Sequence, residues 1–342
     1  MTLQPDGSLL ERRLVIVTGK GGTGKTTVSA ALALMAARDG RRVAVAEVGR
    51  DEHLRALLAP GSPPVGYAGR ELQPGLTVFH IDPFEALAEY LGLQIGMRGL
   101  VNRGLRNPVF RQLMEGSPGW RELITLGKIW HLQQLEDARG KRLYDLVVVD
   151  APATGHGVTF LDVPRVVRSA VRAGPLSRHS GLVETMILDQ ANSLLLPVAL
   201  AEELPARETA TLVSRVRDEI GMAIDRVVVN AVARAPFPPE MSDLPAKLAA
   251  LPPETPTGGL PPVAVLAECA SVRRSRYELN RDYVGQIARD CSLPVVQLPN
   301  ITGGISGPDD LLQLGRELLA PPRRGEDAEA TTAPGEAREQ AS

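Results

Sequence analysis

Gly19-Lys20-Gly21-Gly22-Thr23-Gly24-Lys25-Thr26 follows the apolar run Leu14-Val15-Ile16-Val17 and leads into Thr26–Ala37, TTVSAALALMAA. The order is strand, glycine-rich turn, helix, and the spacing is G-x-x-x-x-G-K-T, which predicts a P-loop. Glycines let the backbone curl until successive N–H groups point into one concavity. The helix that follows adds free N-terminal amides and its positive dipole end. Such a cup suits the β-phosphate of a nucleotide. Gly19, Gly21, Gly22, Thr23 and Gly24 form its wall, and Lys25 reaches the β- and γ-phosphate oxygens. Thr26 offers a hydroxyl to Mg²⁺, and Thr27 lies next to the α-phosphate by position. Gly19, Gly21 and Gly24 also satisfy G-x-G-x-x-G, with Glu47 where a dinucleotide fold places its ribose-binding acid. Lys25-Thr26 favours the P-loop, because a dinucleotide fingerprint has no use for a lysine and a hydroxyl there.

Composition narrows the classes. The chain has 342 residues, 44% of them hydrophobic, enough for one large α/β domain or two small ones. With 38 basic and 40 acidic residues, the net charge of −2 gives no basic excess for nucleic acid. Aromatics at 4% leave few stacking platforms for single strands. Cys269 and Cys291 lack C-x-x-C spacing and read as inert thiols. The five histidines show no H-E-x-x-H pattern. The N-terminus does not resemble a signal peptide and no run of eighteen apolar residues occurs. A cytoplasmic protein is expected, with a peripheral place at a membrane left open.

Strand-like runs recur at Arg13–Gly19, Arg42–Val48, Leu76–Asp82, Tyr144–Pro152, Leu194–Ala199, Arg226–Val232 and Pro294–Leu298. Continuous apolar strands alternating with helices predict a doubly wound, mostly parallel α/β sheet with right-handed crossovers. The expected organisation is a flexible stretch over 1–12, a P-loop domain over 13–319 and a disordered tail over 320–342. Helical insertions are expected at about 84–139 and 158–192, and a proline-rich loop at about 235–262.

A second constellation is Tyr144-Asp145-Leu146-Val147-Val148-Val149-Asp150, an apolar strand that ends in a carboxylate. A strand of this kind delivers Asp150 beside the P-loop, where it can hold Mg²⁺ through water. Gly155, in the following Ala151-Pro152-Ala153-Thr154-Gly155-His156, is placed to sense a γ-phosphate. Lys20 is the unusual element: at that loop position it points away from its own β-phosphate and is free to reach a nucleotide in a facing subunit. It would serve there as an arginine finger does.

G-K-G-G-T-G-K-T-T, from Gly19, resembles the deviant Walker A motif of the signature-lysine class. D-A-P-A-T-G-H, from Asp150 to His156, resembles switch II of the ArsA family. That family includes arsenite pump ATPases and the ATPase that targets tail-anchored membrane proteins. Weaker matches are Ile81-Asp82-Pro83, Ser117-Pro118-Gly119 with Glu122, Glu202-Glu203-Leu204-Pro205 with Glu208-Thr209, and Val228-Val229-Asn230. The resemblance spans roughly Arg13 to Leu319 and implies an ATPase that uses ATP and Mg²⁺. It also implies a dimer, homomeric or with a paralogous ATPase, with two nucleotides sandwiched and Lys20 acting in trans. Asn230 would contact the adenine, and Thr154, Gly155 and His156 would relay γ-phosphate loss to the helical region. A membrane-protein partner is implied as well. The chain departs from the family at switch I. Gly49 falls where the water-orienting aspartate belongs, which leaves Glu47 or Asp51 as replacements. Counterparts of the arsenite-binding cysteines, the zinc C-x-x-C and a methionine-rich helix are missing.

The expected function is therefore attack of water on the γ-phosphate, driving a transporter or export partner through dimer opening and closing. A nucleotide-gated carrier of clients with low basal turnover is the second reading, and a dinucleotide oxidoreductase the third. Lys20, Lys25, Asp150 and Gly155 are the expected catalytic residues, and Thr26 and Asp150 the metal ligands.

Overall fold

The computed structural model describes residues 9–49, 51–95, 112, 119–152 and 157–320. Eight strands form one sheet: β1 (Leu14–Thr18), β2 (Val43–Val48), β3 (Arg70–Gln73), β4 (Leu76–Ile81), β5 (Leu146–Asp150), β6 (Ser193–Leu200), β7 (Val227–Val232) and β8 (Val295–Pro299). The order across the sheet is β3-β4-β2-β5-β1-β6-β7-β8. All neighbours pair in parallel except β3, which pairs antiparallel with β4 at one edge. All seven expected strands are present. The missed strand, β3, reads Arg-Glu-Leu-Gln and is polar and partly exposed, so it carries no apolar signal.

The described helices are α1 (Lys25–Arg38), α2 (His53–Leu58), α3 (Pro83–Ile95), α4 (Trp120–Gln134), α5 (Gly157–Ala170) and α6 (Pro175–Leu188), followed by α7 (Glu203–Arg215), α8 (Leu244–Ala249), α9 (Val263–Cys291) and α10 (Pro308–Leu319). Alternate residues of each strand face opposite ways. Val15, Val17, Val43, Val45, Leu146 and Val148 pack on α1, α2 and α10. Leu14, Ile16, Ala44, Ala46, Val147 and Val149 pack beneath α4, α5 and α6. Ala199, Val227 and Val229 pack against α7 and α9. Burial on both faces explains why the inner strands read as unbroken apolar runs.

One boundary moves. The packed domain reaches back before Arg13, because Leu9 and Leu10 in the turn Leu9–Glu11 are buried in the core beside α1. The first helical insertion contains α3 and α4, with its middle outside the described residues; the second is the pair α5 and α6. The proline-rich stretch holds a short 3-10 turn, Pro239–Met241, and α8.

A polar node ties the helical layer together. Tyr67 Oη donates to Glu89 Oε2, and Lys128 Nζ donates to the same oxygen at 2.8 Å. Lys128 also lies 4.4 Å from the centre of the Tyr67 ring. The Lys128 side chain is only 8% exposed, so its ammonium depends on that carboxylate partner.

Candidate functional site

The loop after β1 and the loop after β5 are neighbours because β1 and β5 pair, with Val17 level with Asp150. This is the crevice at the carboxyl ends of the central strands, where α/β sheets bind ligands.

The P-loop is closed by its own backbone. The carbonyl oxygen of Lys20 accepts from Thr23 N at 3.4 Å, Thr23 Oγ1 at 3.0 Å and Lys25 Nζ at 3.1 Å. Two glycines are constrained by their surroundings, Gly19 by rigid backbone and Gly24 mainly by its left-handed φ. A Cβ on Gly19 would overlap the carbonyl oxygen of Val198 in β6, and one on Gly24 would overlap the Asn230 amide. Gly24 also has φ +88°, and no side chain caps α1. The first hydrogen bond inside the helix is Val28 N to Gly24 O. The amides of Lys25, Thr26 and Thr27 therefore face the cup without helical partners.

Asp150 is 6% exposed and lies on the α1 side of the sheet, with Val148. Thr26 Oγ1 donates to its Oδ2 at 2.6 Å, and its Oδ1 is buried with no hydrogen-bond partner. Burial pushes the Asp150 carboxyl above the usual carboxylate range, against the pull of Thr26 and Lys25. Burial likewise holds the Lys25 ammonium below its ordinary value, with Asp150 opposing. A hydroxyl beside a carboxylate with an unsatisfied buried oxygen is a hard, oxygen-only donor set, and it fits Mg²⁺.

Lys20 is not free, as its sequence position suggested. Its Nζ makes an ion pair with Glu208 Oε1 on α7 at 3.0 Å. Asn230 stands over the loop, donating through Nδ2 to the carbonyl oxygen of Thr23 at 3.0 Å. Gly21 and Gly22 form the exposed tip of the loop. Gly155, with Thr154 and His156, lies outside the described residues. Glu208 was legible only as part of a weak match in the sequence. No local pattern ties it to a lysine 188 positions earlier.

Glu47 has a different job from those considered. It lies level with Asp150 on one side and His80 on the other, at the carboxyl edge. It is 3% exposed, and its Oε1 accepts from His53 N at 2.7 Å and Leu54 N at 3.3 Å, which holds the start of α2. A carboxylate committed in this way is unavailable to a ribose, which removes the main support for a dinucleotide site. Asp51, the other replacement for the switch I acid, is exposed. Burial raises the Glu47 carboxyl to about 7. The folded chain therefore keeps this proton at pH values where the unfolded chain, titrating near 4.5, has lost it. Stability should fall as pH rises from about 4.5 to about 7 and level off above, with a contribution on the order of 3 kcal/mol. Glu47→Gln keeps an acceptor for the α2 amides and should flatten most of that slope. Urea unfolding at pH 5, 6 and 7.5 measures it, and parallel slopes in the two proteins would show that Glu47 titrates normally.

The model of the family described as anion-transporting ATPase matches residues 12–187, which span β1 through α6 and both loops of the site. The chain belongs to the ArsA ATPase family. This ArsA-family ATPase is 33% identical to ATPase BagA of Mycobacterium tuberculosis over 67% of each chain. It is 27% identical to an arsenical pump-driving ATPase of Acidiphilium multivorum, over 63% of this chain and 38% of that one. To ATPase GET3 of Phaeosphaeria nodorum it is 27% identical, over 53% of this chain and 54% of that one. Its reaction is ATP hydrolysis. The ArsA-family ATPase has no helix, among its described residues, that is long and apolar enough to cross a membrane.

Proposed function

We propose that the chain hydrolyses ATP with Mg²⁺ as one half of a dimer, and that closing and reopening of the dimer drives a transport or export partner in a membrane. The observation that supports this best is the division of labour between two lysines of one loop. Lys25 lies over the cup, hydrogen-bonded to the loop's own carbonyl, while Lys20 is turned outward to Glu208. A cation outside its own cup does nothing for its own triphosphate. Exchanged from Glu208 to a nucleotide on a facing chain, it would meet the charge that develops on the transferring phosphoryl group.

The amides of Lys25, Thr26 and Thr27 would grip the β-phosphate, with Lys25 spanning β- and γ-oxygens. Thr26 and Asp150 would hold Mg²⁺, which supplies charge neutralisation between the β- and γ-phosphates. Asn230, already over Thr23, would contact the adenine. Gly155 would register the γ-phosphate. The mention of a pump in the name of the Acidiphilium relative supports a transport partner.

The reading is tested by turnover against protein concentration. A dimeric site requires specific activity to rise with concentration through the dissociation constant, together with a dimer in sedimentation with Mg-ATP. Constant specific activity from a monomer would defeat it. A client carrier with low basal turnover is favoured by one observation: Val166, Leu182 and Leu188 stand exposed on α5 and α6, the helices that follow β5 in the chain. ATP retained by the closed dimer for many minutes without a partner would decide for the carrier.

A further inference from the structure

Of the buried residues of α9, Asn280 alone carries a polar amide. It precedes Val284, Ile287 and Cys291, which pack with Val227, Val229 and Val295 of the sheet. A buried amide is costly unless its groups are paired, and both of these are. Its Nδ2 donates to the Ala201 carbonyl just past β6 at 3.1 Å, and its Oδ1 accepts from Ala233 N just past β7 at 2.9 Å. One side chain thereby pins the carboxyl ends of two strands that touch the P-loop. β6 touches it through the Val198 carbonyl beside Gly19, and β7 through Asn230.

The end of β7 is irregular where it meets the loop. Val229 is level with Gln297 of β8 and Val232 with Pro299, so Asn230 and Ala231 together oppose Leu298. That is a β-bulge, which ends regular pairing and re-aims side chains. Ala231 sits in it at φ +55°, a left-handed conformation that is strained for a residue with a Cβ. The extra residue breaks the alternation of the strand. Asn230 stays with Val228 on the α1 side, where its Nδ2 donates to Thr23 O and lies against Gly24. Val232 returns to the α9 side with Val227 and Val229. The bonds that hold this turn lie immediately beyond it. Val232 O accepts from Asn300 N at 3.0 Å, and Asn280 claims Ala233 N.

We propose that Asn280 is a positioning residue for nucleotide binding. It pins the chain beyond the bulge, which keeps Ala231 left-handed and the Asn230 amide seated on the P-loop. Its own bonds end at Ala201 and Ala233, so it acts on the nucleotide through Asn230. The inference rests on the reading of Asn230 as the contact to the base.

Calorimetry with two probes tests it. Asn280→Ala should weaken ATP binding about tenfold, the effect of losing one well-placed hydrogen bond. Tripolyphosphate with Mg²⁺ has no base and should bind within about twofold of native, because the cup amides and Lys25 are undisturbed. Glycine enters the left-handed region freely, so adding Ala231→Gly to Asn280→Ala should recover most of the lost ATP affinity. Asn230→Ala should lose as much as Asn280→Ala, and the two together no more than either alone. Native ATP affinity in Asn280→Ala beside a weak Asn230→Ala would overturn the inference and leave the Asn230 reading standing. Native affinity in Asn230→Ala would remove both. Equal losses for ATP and tripolyphosphate, or no recovery with Ala231→Gly, would mean general damage to the fold and would also overturn it. Should Asn280→Ala fail to fold, Asn280→Asp decides, because it keeps the acceptor for Ala233 N and gives up only the donor to Ala201. ATP affinity within about threefold of native then supports the clamp on β7, and a loss of about tenfold removes it.

Discussion

Lys20→Ala is expected to lower kcat on the order of 10³-fold while ATP affinity changes by less than about threefold. A cation supplied to a transferring phosphoryl group is worth that much or more, because it acts on charge present in the transition state and little on ground-state binding. The fold should tolerate the change. The ion pair with Glu208 is about one-third exposed on each side, and such pairs contribute about 1 kcal/mol or less. Single-turnover hydrolysis together with calorimetry separates the two effects. Complementation then tests which chain supplies the lysine. A Lys20→Ala chain keeps an intact cup but donates no cation, and a Lys25→Ala chain has a crippled cup but still donates Lys20. Mixed, the two should recover turnover that neither has alone. Normal turnover by Lys20→Ala, or a mixture no better than its components, would refute action in trans.

Lys25→Ala should weaken ATP binding about 100-fold. Its ammonium is the charged donor of the cup, and charge-assisted hydrogen bonds contribute about 1.5–3 kcal/mol each. Loss of Lys25 should barely disturb the loop, because the Lys20 carbonyl keeps its bonds from Thr23 N and Thr23 Oγ1. Unchanged affinity by calorimetry, in a chain whose unfolding midpoint is intact, would remove the P-loop from the function altogether.

The central architecture was legible because it rests on local signals. Leu14–Val17 and Val147–Val149 are apolar without alternation, as strands covered on both faces must be, and the glycines at 19 and 24 mark backbone conformations that other residues rarely adopt. Lys25, Thr26 and Asp150 were placed together by the same logic, and Thr26 does bond Asp150. Long-range partners were not legible. Glu208 reaches Lys20 and Asn280 ties β6 to β7 only because the topology brings distant segments to one edge. Glu47 looked like a ligand for a ribose or a water because it ends a strand beside the P-loop. Whether a strand-end acid faces solvent or caps the next helix depends on where that helix begins, and α2 begins where its amides can claim the carboxylate. The polar β3 lacked any pattern that marks a strand until β4 was present to pair with it.

The last helix carries a practical consequence. α10 lies along α1, with Gly315 so close that a Cβ would overlap Met35 and crowd the carbonyl oxygen of Ala31. Leu311, Leu314 and Leu318 seal the back of the helix whose front end is proposed to grip phosphate. The family model matches only to residue 187, yet the floor under the proposed cup is laid more than a hundred residues later. Excising the matched half would leave the rear of α1 wet and the cup unsupported, so the smallest piece expected to hold a triphosphate runs at least to Leu318.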